Sequence, residues 1–356
     1  MNSVSTLGMA YRTRSMVSVA QAEIAKLSGE IGSGNKADVA ASVGTRLGEN
    51  ITLRNLFDQI GEFKNNITLV NIRMDTMASS YDGIDEVARD FVGKLATMQG
   101  DSQFASIMKN EALSVLSRVQ QQLNVSVGDR FLFSGVDASK PPIQDPDKVN
   151  PATGRSPIGA MQQLAANTPP TDATSAQALV DAINAAFNND PSIPADLRFE
   201  GTFYNGTPAN DAAGNPNARV GGRIDHDRVL NYGKQANDEG FKNILKGIYM
   251  IASLDLDSMT PEAYAVVVGA AFDAVSSGSV KMRQDQAELG GFQKDADQQI
   301  KAHDSAIKIM NERIVGFETV NMIEANAKMS ILETQLQASL VLTTKMASLS
   351  LASMMI

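Results

Sequence analysis

Few residues in this 356-residue chain are of types that do chemistry: it has two histidines and neither cysteine nor tryptophan. The absence of cysteine excludes thiol chemistry and the usual structural zinc sites. Asp225-His226-Asp227 is the densest set of potential metal ligands. Successive side chains of a strand alternate faces, however, so at most the two aspartates would converge, and a solvated strand or turn is the plainer reading. His303 falls within an apolar ladder (Ile300, His303, Ile307, Met310, Ile314, Phe317), where one polar residue more often sets the register of paired helices than performs catalysis. Gly32-Ser33-Gly34-Asn35-Lys36 has glycines and a lysine, but it lacks the spacing of a phosphate-binding loop and follows a helical pattern instead of a strand. The methionines at helical spacing (Met74, Met77, Met98, Met108, Met310, Met322, Met329) read as gap-filling packing residues. No Ser-His-Asp or paired-carboxylate arrangement can be argued from spacing. We therefore expect no enzymatic activity, no cofactor and no metal. A net charge of −9 sets the expectation against nucleic acid and anionic membranes as partners.

The elements that would have to position such residues are much better marked. Leu53, Leu56, Ile60, Phe63, Ile67, Val70, Met74, Met77, Tyr81, Ile84, Ala88, Phe91, Leu95 and Met98 follow a 3-4 alternation without interruption. In a chain with 43% hydrophobic residues, fourteen such hits in one register would arise by chance about once in 10⁵ trials, so the spacing predicts one long helix of coiled-coil type. Val17, Ala20, Ile24, Leu27 and Ile31 make a shorter stripe that ends at Gly32–Asn35, and residues 32–50 read as an irregular connector. After a break at Gly100-Asp101-Ser102, the residues Phe104, Met108, Ala112, Leu116, Val119 and Leu123 form another helical face. The compact aromatic run Gly128-Asp-Arg-Phe-Leu-Phe-Ser-Gly135 predicts a short strand or tight turn against the helices.

Eleven of the twelve prolines lie between Pro141 and Pro216, which marks a separate module. Within it, Ala176–Phe187 reads as a helix. Leu197–Tyr204 and Ala218–Leu230 read as strands, with Gly221-Gly222 as a bulge or turn. Helical patterns return at Phe241, and Thr260-Pro261-Glu262 is a helix start. A break is expected at Ser276-Ser277-Gly278, and a local change of helix winding near Gly316. The closing stretch, Met322–Ile356, has no Gly or Pro. Met329, Leu332, Leu336, Leu340, Ala347, Leu351 and Met354 share one stripe there, while Val341, Leu342, Met346, Leu349 and Met355 lie off it. A helix this apolar all round must be covered by something, and its Ser, Thr and Gln interruptions argue against a membrane span. The expected fold is mainly α: long N- and C-terminal helices pair as a coiled-coil-like rod, with a small α/β or β-rich domain inserted mid-chain. The N-terminus carries no apolar core of the kind a secretory signal peptide needs.

Read together, the two ends resemble the flagellin superfamily. Gln21–Lys36 is similar to the family's Leu-spaced helix closing in a Ser-Gly-Lys turn, here with Asn35 interposed, while the family's Ala-Ser-Asp-Asp-Pro turn has no counterpart in Ala37–Gly44. Gly128, Phe131, Phe133 and Gly135 match the Gly-x-x-Tyr/Phe-Leu-Phe-Ser/Gly-Gly element of the proteins at the hook–filament junction. Arg223-Ile-Asp225, Tyr232–Asn237 and Gly240-Phe241 look like the return of those proteins into their helical domain. Ala287–Gly290, Leu336–Leu340 and Leu349–Leu351 match the family's closing helix.

The resemblance implies an inner coiled-coil layer from residues 1–45 with 318–356, a helical rod from 46–138 with 230–317, and an outer domain from 139–229. It implies export through the flagellar type III channel with an export chaperone. The partners would be other copies in a ring, the first hook-associated protein and flagellin. The assembly contacts are expected on the terminal helices, at Val17, Ile24, Leu27 and Ile31 and at Leu332, Leu336, Leu340, Leu342, Leu349 and Leu351. A filament-forming flagellin and an unrelated coiled-coil binding protein are the alternatives.

Overall fold

The computed structural model describes residues 6–98 and 102–354. It is mainly α-helical, with two small antiparallel hairpins, and divides into two compact units, Met1–Gly61 with His303–Ile356 and Glu62–Ala302. Helices α3 (Leu47–Met98) and α8 (Pro261–Glu318) contribute residues to both units.

The first unit is built on α1 (Thr6–Ser33) and α9 (Met322–Met354), which pack against each other. The connector after α1, expected to be irregular, holds a short helix, α2 (Val39–Val43), capped by the Asp38 side chain and followed by a 3-10 turn at Gly44–Arg46. The expected change of winding near Gly316 is instead a full break. Helix α8 ends at Glu318, and α9 begins after the Asn321 carboxamide accepts from the Ile323 and Glu324 amides.

In the second unit the central element is α7 (Glu239–Ser253), buried along nearly its whole length. It packs on α4 (Ala105–Leu123), α5 (Pro157–Asn167) and α6 (Ala173–Phe187). The α3 ladder is buried without a gap from Ile67 to Leu95, as its periodicity predicts. In α4 the face from Met108 to Leu123 is buried, whereas Phe104, the first residue of the predicted stripe, is exposed. Helices α3 and α8 are joined here by an antiparallel polar ladder: Asn71 donates to Asp297 at 3.2 Å, Gln293 to Asp75 at 2.7 Å and Gln286 to Asp82 at 2.7 Å, and Arg283 pairs with Asp85 at 3.4 Å.

Three further local expectations fail. The predicted break at Ser276–Gly278 is absent: α8 runs through it, because Gly278 lies where a Cβ would stand 2.8 Å from the Gly240 carbonyl oxygen. Glycine serves there for close approach of backbones, not for a turn. Leu197–Tyr204 is not a strand. It forms a single π-helical turn at Phe199–Phe203, closed by Tyr204 N donating to Phe199 O at 3.0 Å, and the four-residue spacing lets both rings reach Phe187, each at 5.2 Å. Finally, Gly221-Gly222 is not the turn of the later strand pair; β3 (Gly222–Asp225) and β4 (Arg228–Leu230) turn at His226-Asp227, with an irregularity between Arg223 and Asp225. The expected break at Gly100-Asp101 lies outside the described residues. Helix α8 is the one described helix with a window long and apolar enough to cross a membrane, and half of that window is buried inside the protein.

Candidate assembly interface

The residues that could have carried chemistry have structural partners. One oxygen of Asp225 accepts from the His226 amide at 2.8 Å and the other from Gln299 Nε2 at 2.9 Å, while the His226 and Asp227 side chains are largely exposed. Among the described residues no three His, Asp or Glu side chains gather to hold a metal ion. His303 is buried on α8.

The terminal helices instead present apolar surface. They run antiparallel: Leu27 and Glu30 border the same hollow as Glu324 and Ala325, and Met16 to Ala20 share another with Leu332 to Ser339. Among the described residues, the apolar side chains buried in this seam are Ala20 and Leu27 on α1 and Ala325 on α9, with the carboxylate-bearing Glu30 buried beside them. Val17, Ile24 and Ile31, with Leu332 and Leu336, are half-buried. Leu340 and Leu342 stand 49% and 52% exposed. Leu349 and Leu351 lie on the helical backbone of α9, but their side chains are outside the described residues. The open faces are not limited to the predicted positions. Tyr11, Met16 and Val19 of α1, Ile323, Ile331 and Val341 of α9, and Ile309 of α8 are each more than half exposed. A hollow of about 610 Å³ runs beside the pair, lined by Met16, Val19, Ala20, Leu332 and Ala338 among others. A single pair of helices cannot cover apolar stripes this wide, and contiguous exposed apolar surface marks an interaction face.

The Gly128–Gly135 motif lies in the second unit, with Gly128–Arg130 exposed and Leu132–Gly135 buried inside it. Residues Ser126–Val127 (β1) and Arg130–Phe131 (β2) form a hairpin that turns at Gly128-Asp129, and Phe131 is half-buried. Phe133 is fully buried, its ring 6.1 Å from Tyr81 and 5.3 Å from Phe241, both edge-on. Its carbonyl accepts from the Ala236 amide at 2.9 Å and that of Ser134 from the Thr207 amide at 2.8 Å. Gly135 has a φ of +75°, and a Cβ there would collide with the Gln235 amide and stand 2.9 Å from Thr207. The motif therefore ties α3, the middle segment and the return into α7 together. Burial of the Tyr81 hydroxyl, together with the nearby carboxylates of Asp285 and Asp238, pushes its pKa far above the ordinary tyrosine value, so it stays neutral.

One part of the interface carries no apolar periodicity and so escapes pattern reading. Glu318, at the end of α8, accepts from Arg54 Nε at 2.8 Å and from Asn50 Nδ2 at 3.3 Å. The signal that could have found it is the break before Met322 combined with the lack of any basic residue in the last turn of α8.

Known proteins bear on this arrangement. Residues 4–138 match the bacterial flagellin N-terminal helical region, and residues 272–355 match the bacterial flagellin C-terminal helical region. A solved structure described as that of a flagellar hook-associated protein from Vibrio parahaemolyticus is similar in fold. Its TM-score is 0.50 at 14% identity, over 75% of this chain and 94% of that one. No curated protein sequence matches the chain. The two flagellin regions together account for more than half of the sequence and for both terminal helices, and the chain belongs to the flagellin family.

Proposed function

We propose that the protein is a structural adaptor of the bacterial flagellum that joins the hook, through the first hook-associated protein, to the flagellin filament. Members of the flagellin family are structural proteins, which supports a role in assembly of the flagellum, with itself and with other flagellar components. The observation that carries the reading is the α1–α9 pair, whose apolar faces are left open in the single chain. The junction role draws on the Gly128–Gly135 motif and on the description of the Vibrio structure as hook-associated. In this reading residues 1–45 with 318–356 form the inner layer, 46–138 with 230–317 the rod and 139–229 the outer domain. The chain travels unfolded through the type III channel with an export chaperone, then assembles as a ring.

Two experiments test this. A chain ending at Lys328 is expected to keep the buried helices of the second unit by circular dichroism yet leave cells unable to retain filaments; motile cells with attached filaments would refute the role. Purified protein added to filament fragments should arrest after a thin cap. Long homopolymers would favour the second reading, a filament-forming flagellin, for which the family match itself speaks.

A further inference from the structure

In the first unit, the turn after α1, the start of α3 and the end of α8 meet at one point. Helix α8 reaches Glu318 after 58 residues with no basic residue in its final turn, so its last carbonyls and the negative end of its dipole have no cation of their own. Cations distant in sequence supply them. Lys36 Nζ donates to the Phe317 carbonyl at 2.8 Å, and the Arg46 guanidinium lies 4.5 Å from the centre of the Phe317 ring. Arg54 and Asn50 grip the Glu318 carboxylate. Backbone bonds close the site: the Lys36 amide donates to Glu318 O at 2.8 Å and the Val320 amide to Gly34 O at 3.0 Å. Three residues beyond Glu318 comes Asn321, the cap of α9. Among the described residues, the apolar side chains that the seam between α1 and α9 buries are small or isolated (Ala20, Leu27 and Ala325), so apolar packing alone fixes their course weakly. This knot of charge-assisted bonds is the better determinant.

We propose that Glu318 is the positioning residue of the terminal helix pair: held by Arg54 and Asn50, it sets the direction in which α9 leaves α8 and so which apolar faces are presented for assembly. The presentation part rests on the assembly reading above; the clasp itself does not.

The test uses the full chain as a monomer, then in assembly. In Glu318→Ala, amide exchange at residues 34–36 and 322–331 should accelerate about fivefold, as expected for losing a partly shielded ion pair, with 241–252 unchanged. The reversed pair Glu318→Arg with Arg54→Glu should restore protection, which a change of local packing would not do. Incorporation onto hooks or filament ends should fall in Glu318→Ala and recover in the reversed pair. Unchanged exchange in Glu318→Ala, or no recovery on reversal, overturns the clasp. Altered exchange with wild-type incorporation overturns the positioning role. If the unaltered protein itself fails to incorporate, the assembly reading and the presentation role fall together, and the exchange arm alone decides the clasp.

Discussion

Phe133 is enclosed by Tyr81 and Phe241, so the motif that suggested a flagellar junction protein acts first on folding. Phe133→Ala should lower stability by about 3–5 kcal/mol in urea unfolding, the range for a fully buried aromatic truncated in a core that cannot collapse around it. Gly135→Ala should cost about 1–3 kcal/mol, because an alanine Cβ would have to take both a left-handed backbone and the space of Gln235. The motif was legible in sequence as a tight turn against helices. Its partners were not, because Tyr81 and Phe241 come from segments far away in the chain. Asp285 offers a titration test. Burial outweighs the attraction of Lys234 and raises its pKa above the usual carboxylate value. A raised carboxylate pKa means the fold prefers the protonated form. Its contribution to stability is therefore present below the unfolded pKa and is lost as pH rises through the folded one. Asp285→Asn should flatten that part of the pH–stability curve; an unchanged slope there would contradict the assignment.

At the scale of elements, the 3-4 ladders were readable because burial on one helical face leaves its period in the sequence. Ile67 to Leu95 in α3 and Met108 to Leu123 in α4 are the clearest cases. Punctuation was less reliable. Ser276-Ser277-Gly278 looked like an end but is a contact, since glycine serves equally for a chain break and for a close helix crossing. Gly278→Ala should lower the melting temperature by an amount equivalent to about 1–3 kcal/mol, because the added methyl meets the Gly240 carbonyl and one helix must move. The Phe199–Phe203 turn escaped notice because a short aromatic run has the same composition as a strand. Of the terminal site, the apolar stripes were legible. The Glu318 clasp was not, since isolated charges have no period.

At the scale of the molecule, the two units differ in how complete they are. The second has a closed core around α7 and a polar ladder between α3 and α8. The first leaves apolar side chains such as Tyr11, Ile323 and Val341 in water. Local opening free energies follow buried contact density. Limited trypsin digestion read by mass spectrometry should therefore shorten the chain from both ends before any cut within Glu62–Ala302; early cleavage inside that span would contradict the division. The clasp has one more consequence, which concerns time. Lys36 and Phe317, joined by a hydrogen bond, are 281 positions apart. Closing a loop of that length in a disordered chain would cost about 5 kcal/mol of entropy, far more than the bond returns. The contact is therefore affordable only after the intervening residues have folded and shortened the effective loop. It should be among the last native contacts to form, and a folding trace followed at Phe317 should lag one followed at Phe241.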